Sequence, residues 1–152
     1  MKAEGEIRVP IASGMDIVPA RAEGRALANR LGFSKTDATL IATAISEIAR
    51  NIVMHVGKGE IEIKPVDEGS RCGVAVIARD EGPGIGDVAA AMEPGYGSKD
   101  GLGLGLPGAK RLMDDFEIDS KAGGGTTITM TKWRARTDLE RLRDQRNGGD
   151  RA

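Results

Sequence analysis

Aromatic residues are scarce in this chain: two phenylalanines, one tyrosine and one tryptophan among 152 residues, so its core has to be built from aliphatic side chains. Cysteine is nearly absent, and Cys72, standing alone, excludes an intramolecular disulfide framework. Long apolar runs are missing as well. The run VAVIA at 74–78 falls far short of the roughly 18–20 residues that a membrane-spanning helix needs. The opening MKAEGEIRV has no apolar segment of the export type. Together these readings point to a cytoplasmic protein without a membrane partner. An excess of one charge is also lacking, since a net charge of -1 and a pI near 5.9 give no global field for nucleic acid. At 16.0 kDa the chain fits one compact domain and leaves little room for a second lobe.

Glycine, by contrast, is abundant and clustered, so particular segments need permissive backbone. Around them the pattern is regular. Ile7, Val9 and Ile11 alternate with polar residues and Pro10, which predicts a short strand at a sheet edge because proline cannot donate to a ladder. From about Asp16 to Leu31, the residues Val18, Ala22, Leu27 and Leu31 recur at near-helical spacing, and Gly32 stands where a C-terminal cap belongs. Ser34-x-x-Asp37 opens a second helix whose apolar face is Leu40, Ile41, Ala44, Ile45, Ile48, Ala49, Ile52 and Val53, with Gly57 ending it. Glu47 and Asn51 lie off that stripe, one turn apart on the same flank, and His55 follows a turn later. Ile61 with Ile63, Gly73 to Ala78, Asp115 to Ser120 and Thr127 to Trp133 read as strands, the last two joined through Gly123-Gly124-Gly125. Leu106 to Asp114 reads as a third helix. The stretch from Arg134 onward alternates basic and acidic residues and is expected to be a frayed helix or a flexible tail, which puts the domain at 1–133 and the tail at 134–152.

Two glycine segments carry the chemistry. Asp80-Glu81-Gly82-Pro83-Gly84-Ile85-Gly86 follows a buried strand directly, which delivers a carboxylate at a strand end where the backbone must turn; an ordinary turn starter would look the same. The second segment runs from Gly95 through Gly101-Leu102-Gly103-Leu104-Gly105-Leu106 into the third helix. Successive glycines there let backbone N–H groups converge on an anion, and the helix N-terminus adds its positive end. A Walker loop would need Gly-Lys-Ser/Thr, and a dinucleotide fingerprint would need the first turn of a βαβ unit; neither context is present. Alternating Gly and Leu is not linker composition either. Glu47 and Asn51 would be ordinary solvated residues in isolation. Beside an anion loop, a carboxylate can orient a hydroxyl while an amide oxygen takes a place on Mg²⁺.

The order Glu47-x-x-x-Asn51 on a helix, Asp80-x-Gly82-x-Gly84 after a strand, Gly101-x-Gly103-x-Gly105 before a helix and Gly125-Thr126 between strands resembles the GHKL ATPase and kinase superfamily with its Bergerat nucleotide fold. Within it, SEIARNI at 46–52, DEGPGI at 80–85 and GLGLGLPGAKRLMDDF at 101–116 are similar to the RsbT-type switch-protein serine kinases. The resemblance covers roughly residues 6–133 and implies an α/β fold, a two-layer sandwich of a mixed sheet covered on one face by about three helices. It implies ATP and Mg²⁺ as ligands: Glu47 as general base, Asn51 as the Mg²⁺ ligand, and Asp80 as acceptor of the adenine amino group. Gly82, Gly84 and the neighbouring Ile85 would shape the base pocket, and Thr126 would reach adenine through water. Gly101, Leu102, Gly103, Leu104, Gly105 and Leu106 would hold the phosphates, with 95–100 as a lid. The implied partner is a STAS-domain antagonist phosphorylated on serine or threonine, with a PP2C-type phosphatase activator as a second binding partner. An anti-sigma factor that masks a sigma factor is the alternative, and a plain ATPase a third. His55 is either a phosphate contact or a helix-end histidine, and Lys99 and Lys110 are either phosphate-side cations or solvated lysines.

Overall fold

A computed structural model describes residues 5–84 and 105–143. Five strands, β1 (Ile7–Ile11), β2 (Gly59–Asp67), β3 (Arg71–Asp80), β4 (Asp115–Ser120) and β5 (Thr126–Ala135), form one sheet in the order β1-β2-β3-β5-β4. Helices α1 (Ile17–Arg30), α2 (Lys35–His55) and α3 (Gly105–Leu112) pack on one of its faces. The α/β two-layer arrangement is the expected one, with a difference in the sheet. Every neighbouring pair is antiparallel rather than mixed. The connection from β3 to β4 carries the chain past β5, so the two strands that run the same way never touch, and β5 fills the gap between them.

The strand alternation decides which side chains meet the helices. Val9, Ile61, Ile63, Val74, Val76, Ala78, Ile128 and Met130 point inward and are buried against Ile41, Ile45, Ile48 and Ile52 of α2. Pro10 does sit on an edge strand. The Ser34 hydroxyl caps α2 by accepting from the Asp37 N–H at 3.0 Å, as its spacing predicts.

Helix α1 departs from its expected face. Val18 is 69% exposed and Ala22 also faces solvent, while Ala20, Gly24, Leu27 and Ala28 are buried. The cause is close helix packing. A Cβ on Gly24 would stand 2.1 Å from Ile45 Cδ1, so the crossing of α1 and α2 selects the smallest residues instead of the largest apolar ones. On the opposite sheet face Glu62 is buried, held by Arg79 Nη1 at 3.1 Å and Arg8 Nη2 at 3.5 Å. No helix among the described residues is long and apolar enough to cross a membrane.

Candidate functional site

The C-terminal end of β3 and the C-terminal end of α2 meet over a cavity of about 200 Å³, lined by Asn51, His55, Val56, Asp80, Pro83, Gly84 and Thr126. Four residues singled out in the sequence, Asn51, Asp80 and Gly84 by their pattern and Thr126 through the family resemblance, therefore line one cavity. Their convergence follows from register. Asp80 on β3 is the cross-strand partner of Thr126 on β5, and Thr126 is the partner of Ser120 on β4. This polar row lies one step beyond the inward row Ala78, Ile128 and Ile118, so the apolar core ends and a hydrogen-bonding surface begins within one side-chain repeat.

The backbone around Asp80 is packed too tightly for side chains. Gly125 adopts φ +80° and a Cβ there would lie 2.4 Å from the Asp80 carbonyl oxygen. Gly84 adopts φ +77°, and a Cβ would fall 2.0 Å from the Lys121 carbonyl. Both positions require glycine, for conformation and for space. The Gly123 N–H also donates to the Pro83 carbonyl at 2.6 Å, tying the β4–β5 turn to the segment after β3. At Gly82 the neighbour is Val56 at the end of α2, which a Cβ would approach to 2.8 Å. That contact brings the helix end over the turn.

Asp80 accepts the Gly82 N–H on Oδ1 at 2.9 Å; its Oδ2 has no hydrogen-bond partner among the described residues. The Asn51 side chain likewise makes no hydrogen bond among them, and the residue lines the cavity. Glu47 is buried at 8% exposure, one helical turn before Asn51, and accepts from Arg50 Nη1 at 3.2 Å. It does not line the cavity itself. No group of three or more His, Cys, Asp or Glu side chains among the described residues could hold a metal ion.

Gly105 and Leu106 open α3, and the Leu106 side chain is buried in the core at 1% exposure, so only its backbone can face a ligand. Ile85, Gly101, Leu102, Gly103 and Leu104, together with the lid at 95–100 and Lys99, lie outside the described residues. Lys110 is exposed on α3. Sequence reasoning missed Ser120, whose Oγ lies 2.8 Å from Thr126 Oγ1. Its position three residues before the triple-glycine turn was a strand-end signal, and only the hairpin register could have revealed its neighbour.

Residues 12–132 match the model of the histidine kinase-like ATPase domain. The chain is 50% identical over 125 residues to the serine/threonine-protein kinase RsbT of Bacillus subtilis, covering 82% of this chain and 94% of that one. It is 35% identical over 99 residues to an anti-sigma F factor of Thermoanaerobacter, covering 61% of this chain and 68% of the relative. A crystal structure of the RsbU and RsbW domains of a Mycobacterium tuberculosis protein superimposes with a TM-score of 0.56 at 22% identity, over 88% of this chain and 34% of that one. That likeness is one of fold. The chain belongs to the histidine kinase-like ATPase domain family.

Proposed function

We propose that this chain is an ATP-dependent protein kinase that phosphorylates a serine or threonine of a STAS-domain antagonist protein. The observation that carries the reading is the meeting of Asn51, Asp80, Gly84 and Thr126 on one cavity at the end of β3. At about 200 Å³ the cavity is smaller than the roughly 300–1,000 Å³ of sites that hold a whole ligand, which suits the base of a nucleotide whose phosphates extend beyond it. The open Oδ2 of Asp80 accepts the adenine amino group, and Thr126 lies beside it. The Asn51 amide oxygen binds Mg²⁺, which neutralises charge on the phosphates when it is present. The backbone amides of Gly101, Gly103 and Gly105 hold the triphosphate, at the positive end of α3.

Glu47 acts as the base. It takes the proton of the substrate hydroxyl while that oxygen bonds to the terminal phosphorus and the bond to the ADP oxygen breaks. Arg50 holds one carboxylate oxygen at 3.2 Å and so limits the rotamers of Glu47. Burial at 8% keeps water away from the carboxylate until a substrate hydroxyl arrives. The rest of catalysis is positioning.

Kinship to RsbT supports a partner-switching role in which the chain also binds and activates a PP2C-type phosphatase in the cytoplasm. Kinship to anti-sigma F factors, at lower identity, supports a second reading in which it masks a sigma factor and ATP sets its conformation. Incubating the purified chain with labelled ATP, magnesium and a STAS-domain protein separates them. Label on a serine or threonine of the STAS protein supports the kinase; capture of a sigma factor with no label transfer overturns it in favour of the second reading. Steady phosphate release without any protein acceptor overturns both.

A further inference from the structure

Glu47, Arg50 and Met54 follow one another along a single flank of α2, each about one helical turn from the last. Glu47 is buried, whereas the Arg50 side chain is 47% exposed, so the guanidinium links a buried carboxylate to the surface. Its Nη1 donates to Glu47 Oε1 at 3.2 Å, while its Nε and Nη2 make no hydrogen bond among the described residues. A guanidinium carries five N–H donors in a planar fork. Most of the donors beside the base are therefore unspent. One turn further, Met54 is 55% exposed and places an adaptable apolar side chain next to that fork, a surface suited to a protein acceptor.

We propose that Arg50 is a specificity-determining residue that donates to a carboxylate beside the acceptor hydroxyl, so that a serine or threonine flanked by Asp or Glu is phosphorylated in preference to one flanked by a cation. The inference rests on the reading of Glu47 as the base and deepens it, since it names what the acceptor segment presents. Geometry sets the spacing. A hydroxyl within hydrogen-bond reach of Glu47 and a carboxylate within reach of Arg50 stand no more than about 9 Å apart, which side chains on adjoining residues of one chain can span. An ion pair at a half-exposed guanidinium is weak enough to be exchanged. Pairing with the acceptor carboxylate draws Nη1 from Oε1 and leaves that oxygen for the hydroxyl proton. A lysine beside the acceptor is instead repelled by Arg50 and competes with it for Glu47.

The test is label transfer from ATP by the full chain to one STAS-domain acceptor prepared in three forms, with Asp, Asn or Lys on either side of the acceptor serine. For wild type, kcat/KM falls in the order Asp, Asn, Lys, by about tenfold from first to last, the size of one charge-assisted hydrogen bond gained or lost. Arg50→Glu reverses the order. Arg50→Lys, which keeps the charge without the fork, retains it in weaker form. Losing Arg50 also releases Glu47, so the order of the three acceptors is the readout and not the absolute rate; calorimetric titration with ATP checks that the nucleotide site is intact. The same order in wild type and Arg50→Glu, or an equal loss with all three acceptors, would show that Arg50 only holds Glu47 and would overturn the proposal. Should Arg50→Glu fail to fold, Arg50→Gln serves in its place, and a series it does not flatten overturns the proposal equally. A wild-type chain that labels none of the three brings down the kinase reading, and this inference with it.

Discussion

The two ends of β3 solve opposite problems with similar residues. At its start, charges are engaged with each other: Arg71 with Glu68 at 2.9 Å, Arg134 with Glu140 at 2.7 Å, Arg136 with Asp67, and Arg141 with Asp138 at 2.6 Å. Arg71 also stacks over Trp133, 3.9 Å from the ring centre. At its end, nine residues later in the strand, Asp80 has one oxygen and Asn51 its side-chain amide without a hydrogen-bond partner among the described residues, and both line the same cavity. Both ends line recesses: one of about 350 Å³ at the start, and at the end one of about 200 Å³ and another of about 650 Å³ that Asp80 also lines. A recess alone does not distinguish them. What does is the supply of polar atoms still able to bind something else, and the glycines that hold those atoms in place.

The comparison is broken most severely by removing chemistry from the Asp80 end. Glu47→Gln is expected to lower phosphoryl transfer to a protein hydroxyl by about 10²–10⁴-fold, the usual worth of a general base, with ATP affinity nearly unchanged. Single-turnover label transfer beside calorimetric titration measures the two separately, and parallel loss of both would remove Glu47 from the proposed role. Asp80→Asn removes the charged acceptor and is expected to weaken ATP binding by about 2 kcal/mol, roughly 30-fold. An affinity within threefold of wild type would place the base elsewhere. Gly125→Ala tests the scaffold. Its positive φ and the 2.4 Å approach to the Asp80 carbonyl predict about 1–3 kcal/mol of lost stability in urea titration, together with weaker ATP binding because Asp80 must shift. Equivalent affinity at reduced stability would mean that Asp80 relaxes without cost to the site.

Much of this end of the molecule was legible in the sequence, because strand-end carboxylates, required glycines and helix flanks are local features. Ile41, Ile45, Ile48 and Ile52 announce the buried face of α2 by period alone, and with it the flank that carries Glu47 and Asn51. Legibility fails where a neighbour distant in sequence decides the outcome. Val18 looks like a core residue until Gly24 is found against Ile45, and the helix rotates to bury its smaller side. Glu62 reads as a solvent-facing partner in a strand alternation, yet Arg8 and Arg79 from the two adjoining strands cover it. Ser120 has no distinguishing spacing at all, and its meaning comes from the strand beside it. The stretch from Arg134 on is a mixed case. Its alternating charges suggest a frayed helix or a flexible tail, and residues 138–143 are helical, but β5 continues to Ala135, Arg134 Nε donates to the Leu31 carbonyl at 2.7 Å, and Glu140 closes on Arg134.

That last contact gives the gentlest test, at the start of β3, where charges are already paired. Hydrogen bonding to the Arg134 guanidinium, and then to the Thr137 backbone, lowers the Glu140 carboxyl from 4.5 to about 2. A carboxyl whose folded value is depressed stabilises the folded state fully above its ordinary value, and the contribution disappears as pH falls through the folded one. The stability gap between wild type and Glu140→Gln should therefore be constant above 4.5 and close progressively between 4.5 and about 2. Arg134 stays charged throughout that window, so the whole change belongs to the carboxyl. Urea titrations of both proteins across the window measure it. The same series should leave ATP affinity at neutral pH unchanged in Glu140→Gln, since the pair stands at the far end of the strand from Asp80. A variant that altered nucleotide binding would show instead that the two ends are coupled through β3 and β5, and that the division between a self-satisfied end and a receptive one is not independent.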